Sequence, residues 1–523
     1  MEKLYFFILK FSLTKNSDLA TLEQKTEINM KLIIVGLLAF LGIIFFVDLQ
    51  PGKPEVTYTA AIALLMAFWW VTEAIPIGIT SFLPIILFPT LGILDGKAIS
   101  NAYINYVIFL FIGGFIMALA MEKWDLHKRI ALKILAIVGG SPFRIMFGFM
   151  LASSFLSMWM SNTAAAMMML PIAFSVTAAL EEVYGEGKIS SFAAGLLLCI
   201  AHACSIGGIA TLVGTPPNLS FLRIFEIMYP GAPEISFGQW IIFAFPITVM
   251  IFICSLLLLY FTYRPQGKIE QLDASFFRDK YKELGKVTAE QKRVFILFVT
   301  LAVLWVFRSN LNLGFITIPG WSLLFEHPKY LNDGTVAIFV SMLLFIIPST
   351  QKNVALVDWK ITRKIPWHIV FLFGGGFALA KGFIDSGLSS YVGGLLSGTK
   401  DMSPVMLVGT LTALMSTLTE FTSNTATTEM MLPIISGLAS EIRVNPLLIM
   451  IPVTLAASMA FMLPIATPPN AIVFGTGKLK VMQLIKTGFV IDVFATIIIV
   501  FMTIVWGAII FDIDPAIFPV WAE

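Results

Sequence analysis

Apolar residues in this chain come in long unbroken blocks rather than in alternation. A helix needs about 20 such residues to cross a bilayer. The first block covers 30–49, and others lie near 57–75, 77–93, 101–121, 190–227, 238–263, 294–310, 334–348, 366–387, 443–477 and 484–511. Two further stretches, near 141–180 and 402–438, are apolar but interrupted by a polar Ser-Asn-Thr cluster. The pattern predicts an all-α polytopic membrane protein of eleven transmembrane helices plus two re-entrant helical hairpins. A polar 29-residue tail with Lys3, Lys10, Lys15 and Lys25 precedes the first block, and no small-residue cleavage site follows it. It reads as a retained first span rather than a signal peptide. The segment 4–11 either lies on the membrane surface or trails with the tail.

Lys and Arg of short loops stay on the cytoplasmic side. With the N-terminus inside, 26 of the 34 Lys and Arg fall in the inner segments 1–31, 123–144, 188, 264–293, 352–364 and 478–486, and the tail after Phe511 holds none. The expected orientation is N-terminus cytoplasmic and C-terminus external, in a plasma membrane such as the bacterial inner membrane.

Composition agrees, with 58% hydrophobic and 13% charged residues in 523, against about 45–50% and about 25% for soluble domains. A net charge of +2 excludes a nucleic-acid binder built on a basic surface. Cys199, Cys204 and Cys254 show no metal-ligand spacing and read as small buried hydrophobes.

The two halves are related. VIFLFIGGF (107–115) matches IVFLFGGGF (369–377) at an offset of 262, and the same offset aligns SMWMSNTAAAMMMLPI (157–172) with TEFTSNTATTEMMLPI (419–434). GTPPN (214–218) and ATPPN (466–470) align at 252. The expected organisation is a cytoplasmic tail (1–29), a first span and connection (30–56), repeat 1 (57–263), a cytoplasmic linker with a short surface helix (264–293), repeat 2 (294–512) and an external tail (513–523). Repeat 1 carries the first hairpin (about 141–180) and repeat 2 the second (about 402–438). Five spans per repeat, an odd number, make the second copy inverted, as in transporters whose repeats meet near the midplane.

Irregular backbone at membrane depth is tolerated only where it lines a protein or water cavity. Ser161-Asn162-Thr163 and Ser423-Asn424-Thr425 therefore read as tips of re-entrant hairpins. Helix packing through small residues explains one such tripeptide better than two related ones. Pro216-Pro217 and Pro468-Pro469 break long helices, since proline lacks the donor and clashes with the preceding turn. A break leaves carbonyls for a hard cation and a positive helix end for an anion. Segments 145–187, 189–222, 401–442 and 444–477 contain no Lys or Arg. An anion bound there must be met by Asn, Thr and Ser donors, with co-bound sodium ions supplying the positive charge. Ser157 and Thr419, four residues before Ser161 and Ser423, are candidate oxygen ligands.

The paired Ser-Asn-Thr motifs, paired Thr-Pro-Pro-Asn breaks and inverted repeats resemble the divalent anion/sodium symporters, the INDY-type carriers of dicarboxylates, citrate and sulfate, over about residues 30–512. The resemblance implies a homodimer in which each protomer has a scaffold domain and a transport domain that moves as an elevator. It implies a first sodium site of Ser157, Ser161, Asn162 and the Gly214 carbonyl, and a second of Thr419, Ser423, Asn424 and the Ala466 carbonyl. Substrate carboxylates would meet Asn162, Thr163, Asn424 and Thr425, with Thr215 and Thr467 adjacent. The implied activity is sodium-coupled symport of C4-dicarboxylates such as succinate, malate and fumarate, without any cofactor beyond the coupling ions. The alternatives are a citrate or sulfate symporter and a sodium-independent dicarboxylate exchanger; His202, on the broken fifth span, is the one basic residue that could favour the latter.

Glu429 departs from the repeat, its counterpart being Met167. An acid within the membrane marks function by default: it carries a proton, tunes substrate charge, pairs with a polar group across the domain interface, or reaches the aqueous side. Glu420 should support the second hairpin tip. Glu73, Asp125 and Asp385 read as capping or solvated, and His127, His327 and His368 as isolated polar contacts. No metal-binding motif, His-Asp dyad or nucleotide loop supports an enzyme, and a passive anion channel fits duplicated, oppositely inserted motifs poorly.

Overall fold

The computed structural model describes residues 29–265, 275–312, 316–515 and 517–523; the expected tail and its segment 4–11 lie outside these. The chain is mostly helical. Helices α1 (Met30–Phe46), α2 (Pro54–Thr72), α3 (Ile77–Thr80), α4 (Leu83–Thr90) and α5 (Gly96–Tyr103) come first. They build a smaller core around Val56, Ile62, Trp69, Trp70 and Phe88. Trp69 and Trp70 are buried there and serve packing.

Next follow α6 (Tyr106–Lys123), α7 (Leu126–Val138), α8 (Pro142–Ser157), α9 (Asn162–Tyr184), α10 (Glu186–Gly208), α11 (Pro216–Met228) and α12 (Phe237–Tyr263). The segment between the halves holds α13 (Ser275–Glu283), whose Phe277 is buried in the core. The second half contains α14 (Ala289–Val306), α15 (Asp333–Ile346), α16 (Trp367–Ser386), α17 (Leu388–Leu395), α18 (Pro404–Thr419), α19 (Asn424–Glu441), α20 (Pro446–Ala456), α21 (Pro468–Phe474) and α22 (Val481–Ile510). A larger core joins the two halves.

Both polar-interrupted stretches fold as helix–turn–helix pairs, α8–α9 and α18–α19. Each pair starts on the same device. Ser141 and Ser403 cap through their hydroxyls, and the following Pro occupies the first turn, where its missing N–H costs nothing. The two Pro-Pro breaks part α10 from α11 and α20 from α21.

Among the described residues seven helices have the length and apolarity to cross a membrane, while α1, α8, α15, α18, α20 and the α3–α4 stretch are shorter apolar helices. The block 294–310 is shifted, since its helix runs from Ala289 to Val306. Arg308, just past its end, is buried with its Nε 2.5 Å from Asp333 and its Nη2 2.5 Å from Glu234. Asp333 also accepts from Phe237 N at 3.0 Å. This ion cluster ties the end of α14 to the starts of α12 and α15.

Candidate functional site

The Ser-Asn-Thr tripeptides form the N-termini of α9 and α19. Ser161 is the N-cap of α9 and its hydroxyl accepts from Ala164 N at 3.2 Å. Ser423 caps α19 through its backbone alone, leaving its hydroxyl out of the cap. Each tip therefore presents the positive end of a helix dipole with an Asn side chain in its first turn.

At the first tip oxygens crowd together. Ser157 Oγ donates to the Cys204 carbonyl at 2.7 Å and lies 2.5 Å from Asn162 Oδ1. The Gly214 and Cys204 carbonyls each stand 3.3 Å from that same Asn162 atom. The Asn162 amide has two orientations available: with Oδ1 inward the four oxygens face one another, and turned over the NH2 donates to Gly214, Cys204 and Ser157. With the amide oxygen inward the set offers oxygen ligands that suit a hard cation, and with the NH2 inward hydrogen bonds satisfy the same oxygens. Ser157 is fully buried.

Gly208 and Gly214 make this approach possible. A Cβ on Gly208 would stand 2.9 Å from Asn162 Oδ1 and 3.2 Å from the Gly214 carbonyl. A Cβ on Gly214 would stand 3.0 Å from the Ser157 carbonyl.

The second tip repeats the pattern. Thr419 Oγ1 donates to the Ala457 carbonyl at 2.8 Å and lies 2.7 Å from Asn424 Oδ1. Thr419 is fully buried and Ala466 nearly so. The structure thus joins Ser157 with Asn162 and Gly214, and Thr419 with Asn424. Ser161 is engaged in its helix cap. Of the outlying substrate candidates, Thr215 hydrogen-bonds Ser458 Oγ at 3.2 Å, and Thr467 caps α21 by accepting from Asn470 N at 3.4 Å. Thr163 is half-buried and Thr425 is buried, each in the first turn of its helix.

Several contributors escaped the sequence. The carbonyls of Cys204 and Ala457 have no side-chain signature. Thr211 Oγ1 accepts from Gly214 N at 3.0 Å and donates to the Met158 carbonyl at 2.5 Å, tying the break to the tip. The Asn of each Thr-Pro-Pro-Asn motif bridges its break: Asn218 Nδ2 donates to the Thr211 carbonyl at 2.7 Å, and Asn470 Nδ2 to the Ala460 and Leu463 carbonyls, both at 3.1 Å. Those Asn side chains stood in the motif and could have been assigned this role. Glu420 accepts from Met462 N and Leu463 N, both at 2.9 Å, so it braces the second break. His202 is fully buried and packs edge-on to Phe461 at 5.1 Å.

The repeats interlock crosswise. Helix α11 of the first half packs on α19 and α20 of the second, while α21 of the second packs on α9 and α10 of the first. Each helix break therefore packs against the helices of the other half that carry its Ser-Asn-Thr tripeptide.

A sequence profile described as the sodium:sulfate symporter transmembrane region matches residues 27–513. The sodium-dependent dicarboxylate transporter SdcS of Staphylococcus saprophyticus is 41% identical over 477 residues, covering 90% of this chain and 89% of that one. The Staphylococcus aureus protein of the same name is 41% identical over 489 residues, covering 92% of each. The Alcanivorax borkumensis YdaH transporter has a similar fold, with a TM-score of 0.56 at 11% identity over 92% of this chain and 99% of that one. Neisseria gonorrhoeae MtrF is also similar, with a TM-score of 0.51 at 14% identity over 90% and 97%.

Proposed function

The chain belongs to the sodium:sulfate symporter family, and from that premise we propose that it is a sodium-coupled symporter of C4-dicarboxylates such as succinate, malate and fumarate. It is an integral membrane transporter and not an enzyme. The relatives' names bring sodium and dicarboxylate to this reading. The observation that carries it is the oxygen set of Ser157, Asn162, Cys204 and Gly214, in segments that hold no Lys or Arg.

Sodium at that set, and at Thr419, Asn424 and the neighbouring carbonyls with Ser423 and Ala466, supplies the positive charge that the protein withholds. The dianion then lies between the tips, its carboxylates met by Asn162 and Thr163 on one side and Asn424 and Thr425 on the other. Thr215 and Thr467 sit behind, holding the breaks. Each ion lowers the electrostatic cost of binding the other, so sodium and substrate affinity rise together by the same factor. The crosswise packing of α11 and α21 supports a moving unit that carries both tips, as in an elevator. Eleven spans with two re-entrant hairpins, inverted repeats at 57–263 and 294–512, a cytoplasmic N-terminus, an external C-terminus and a homodimer in the bacterial inner membrane complete the reading.

Purified protein in liposomes should accumulate labelled succinate against its gradient only when external sodium is present. Asn162→Ala and Asn424→Ala should abolish uptake without loss of folded protein. Accumulation that persists in choline, driven by internal dicarboxylate, would identify an exchanger and refute the symport. Competition by citrate or sulfate at lower concentration than succinate would reassign the substrate.

A further inference from the structure

Glu429, on α19, is fully buried. Its Oε1 receives a hydrogen bond from Ser220 Oγ of α11 at 2.5 Å, and its Oε2 has no partner among the described residues. The carboxyl lies against Gly376 of α16: a methyl added to this glycine would find Glu429 atoms as its three nearest neighbours. This glycine is the last of a Gly374-Gly375-Gly376 run whose first two members admit Tyr103 and Ser81.

Among the described residues, the helices packed against α19 offer the carboxyl no counter-charge. On α11, Arg223 pairs with Glu226 at 2.7 Å. On α16, His368 lies about two turns before Gly376, and Lys381 and Asp385 lie more than one and more than two turns beyond it. Tyr391 of α17, Glu55 and Tyr58 of α2 and Glu441 at the far end of α19 complete the titratable groups of the packed elements. Helices α18 and α20 carry none. Of the described side chains, Ser220 alone hydrogen-bonds the Glu429 carboxyl. An ionised carboxylate in such a niche would stand as an uncompensated buried charge, which is far costlier than a neutral acid.

The repeat counterpart of this arrangement is open. Met167 is 54% exposed, and its helix α9 packs closely on neither α6 nor α7, whereas α19 packs on both α16 and α17. Gly114, the counterpart of Gly376, instead has Val213 at 3.4 Å as its nearest neighbour. In a carrier built from inverted repeats, the alternate state exchanges the environments of paired elements. Met167 then enters the closed position and Glu429 the exposed one.

We propose that Glu429 is a proton-binding switch of the conformational cycle: its carboxyl occupies the Ser220–Gly376 niche as the neutral acid and gives up its proton when the alternate state exposes it. The switch rests on the alternating-access reading above. A proton that binds and leaves with the same exposed state gates the cycle without being carried across, so acid favours the conformation described here. The ratio of the two states can change by at most about tenfold per pH unit for one proton.

The test measures exposure directly. Met167→Cys is made in a Cys254→Ser background, since Cys199 and Cys204 are buried. Labelling by a membrane-impermeant maleimide in liposomes is normalised at each pH to the denatured protein. The normalised rate should fall several-fold as pH rises from 5 to 8, and the added Glu429→Gln should hold it high and flat. Gly376→Ala, whose methyl displaces the carboxyl from the niche, should lower it at every pH, and Gly376→Ala with Glu429→Ala should restore it. A normalised rate independent of pH with Glu429 intact overturns the switch, as does an unchanged pH profile in Glu429→Gln. If sodium-driven uptake is absent while the labelling shift persists, the substrate reading falls and the switch stands; if uptake is present and the shift is not, the switch falls and the substrate reading stands.

Discussion

Gly208 offers a perturbation of one methyl group at the first oxygen cluster. A Cβ there would stand 2.9 Å from Asn162 Oδ1 and 3.2 Å from the Gly214 carbonyl, both inside ordinary van der Waals contact. The softer neighbour yields, and that is the end of the Asn162 side chain rather than the backbone of the break. Gly208→Ala should therefore fold, with an overpacking cost at the low end of about 1–3 kcal/mol. The amide, however, must withdraw from the set it shares with Ser157 and Gly214. Losing one polar contact to a charged partner costs about 1.5–3 kcal/mol, which is about 10- to 150-fold in affinity. The assay is succinate uptake into liposomes as a function of external sodium. Half-saturating sodium should rise at least tenfold, and maximal uptake should recover at high sodium. Gly114→Ala, whose new methyl meets nothing closer than 3.4 Å, is the control and should leave the curve in place. A sodium curve unchanged in folded Gly208→Ala protein would refute the assignment of this cluster to the ion.

Other expectations follow from the same contacts. Arg308→Leu strips the buried Asp333 of its cation and should destabilise by about 3–5 kcal/mol, whereas Arg308→Met with Asp333→Asn and Glu234→Gln should recover much of the loss in thermal unfolding. Glu420→Ala removes the acceptor of Met462 N and Leu463 N and should cost about 1–3 kcal/mol, lowering both thermal stability and sodium affinity. Thr215→Val and Ser458→Ala break one cross-repeat bond; each should cost about 1 kcal/mol, and the double variant should cost less than their sum. Replacing sodium by choline should lower the unfolding temperature of the intact protein, because ligand at 100 times its Kd adds about 2.7 kcal/mol.

Much of the site could be read from residue order. The tripeptides at 161–163 and 423–425 and the breaks at 214–218 and 466–470 stand out because polar and helix-breaking residues are conspicuous in apolar surroundings. Their duplication marked both halves of the candidate site. The Cys204 and Ala457 carbonyls could not be read, because a backbone oxygen leaves no trace in residue type. Arg308 fell inside an apolar block, and only its pairing with Asp333 and Glu234 shows why the helix stops before it. Glu429 stood out as the acid opposite Met167, but its niche is formed by Ser220, 209 positions away in the chain, and by the Gly376 surface.

Sequence alone determined what depends on neighbours along the chain: helical blocks set by apolar runs, breaks set by Pro-Pro, caps set by Ser-Pro and the twofold repetition of all three. Tertiary structure alone decided what depends on distance through space, such as the meeting of Thr215 with Ser458 across 243 positions and the crosswise seating of each break on the other repeat's hairpin. The division has a physical cause. Local conformation follows from sterics and backbone hydrogen bonding within a few residues, whereas the convergence of oxygens and the burial of a single carboxyl depend on how whole helices pack.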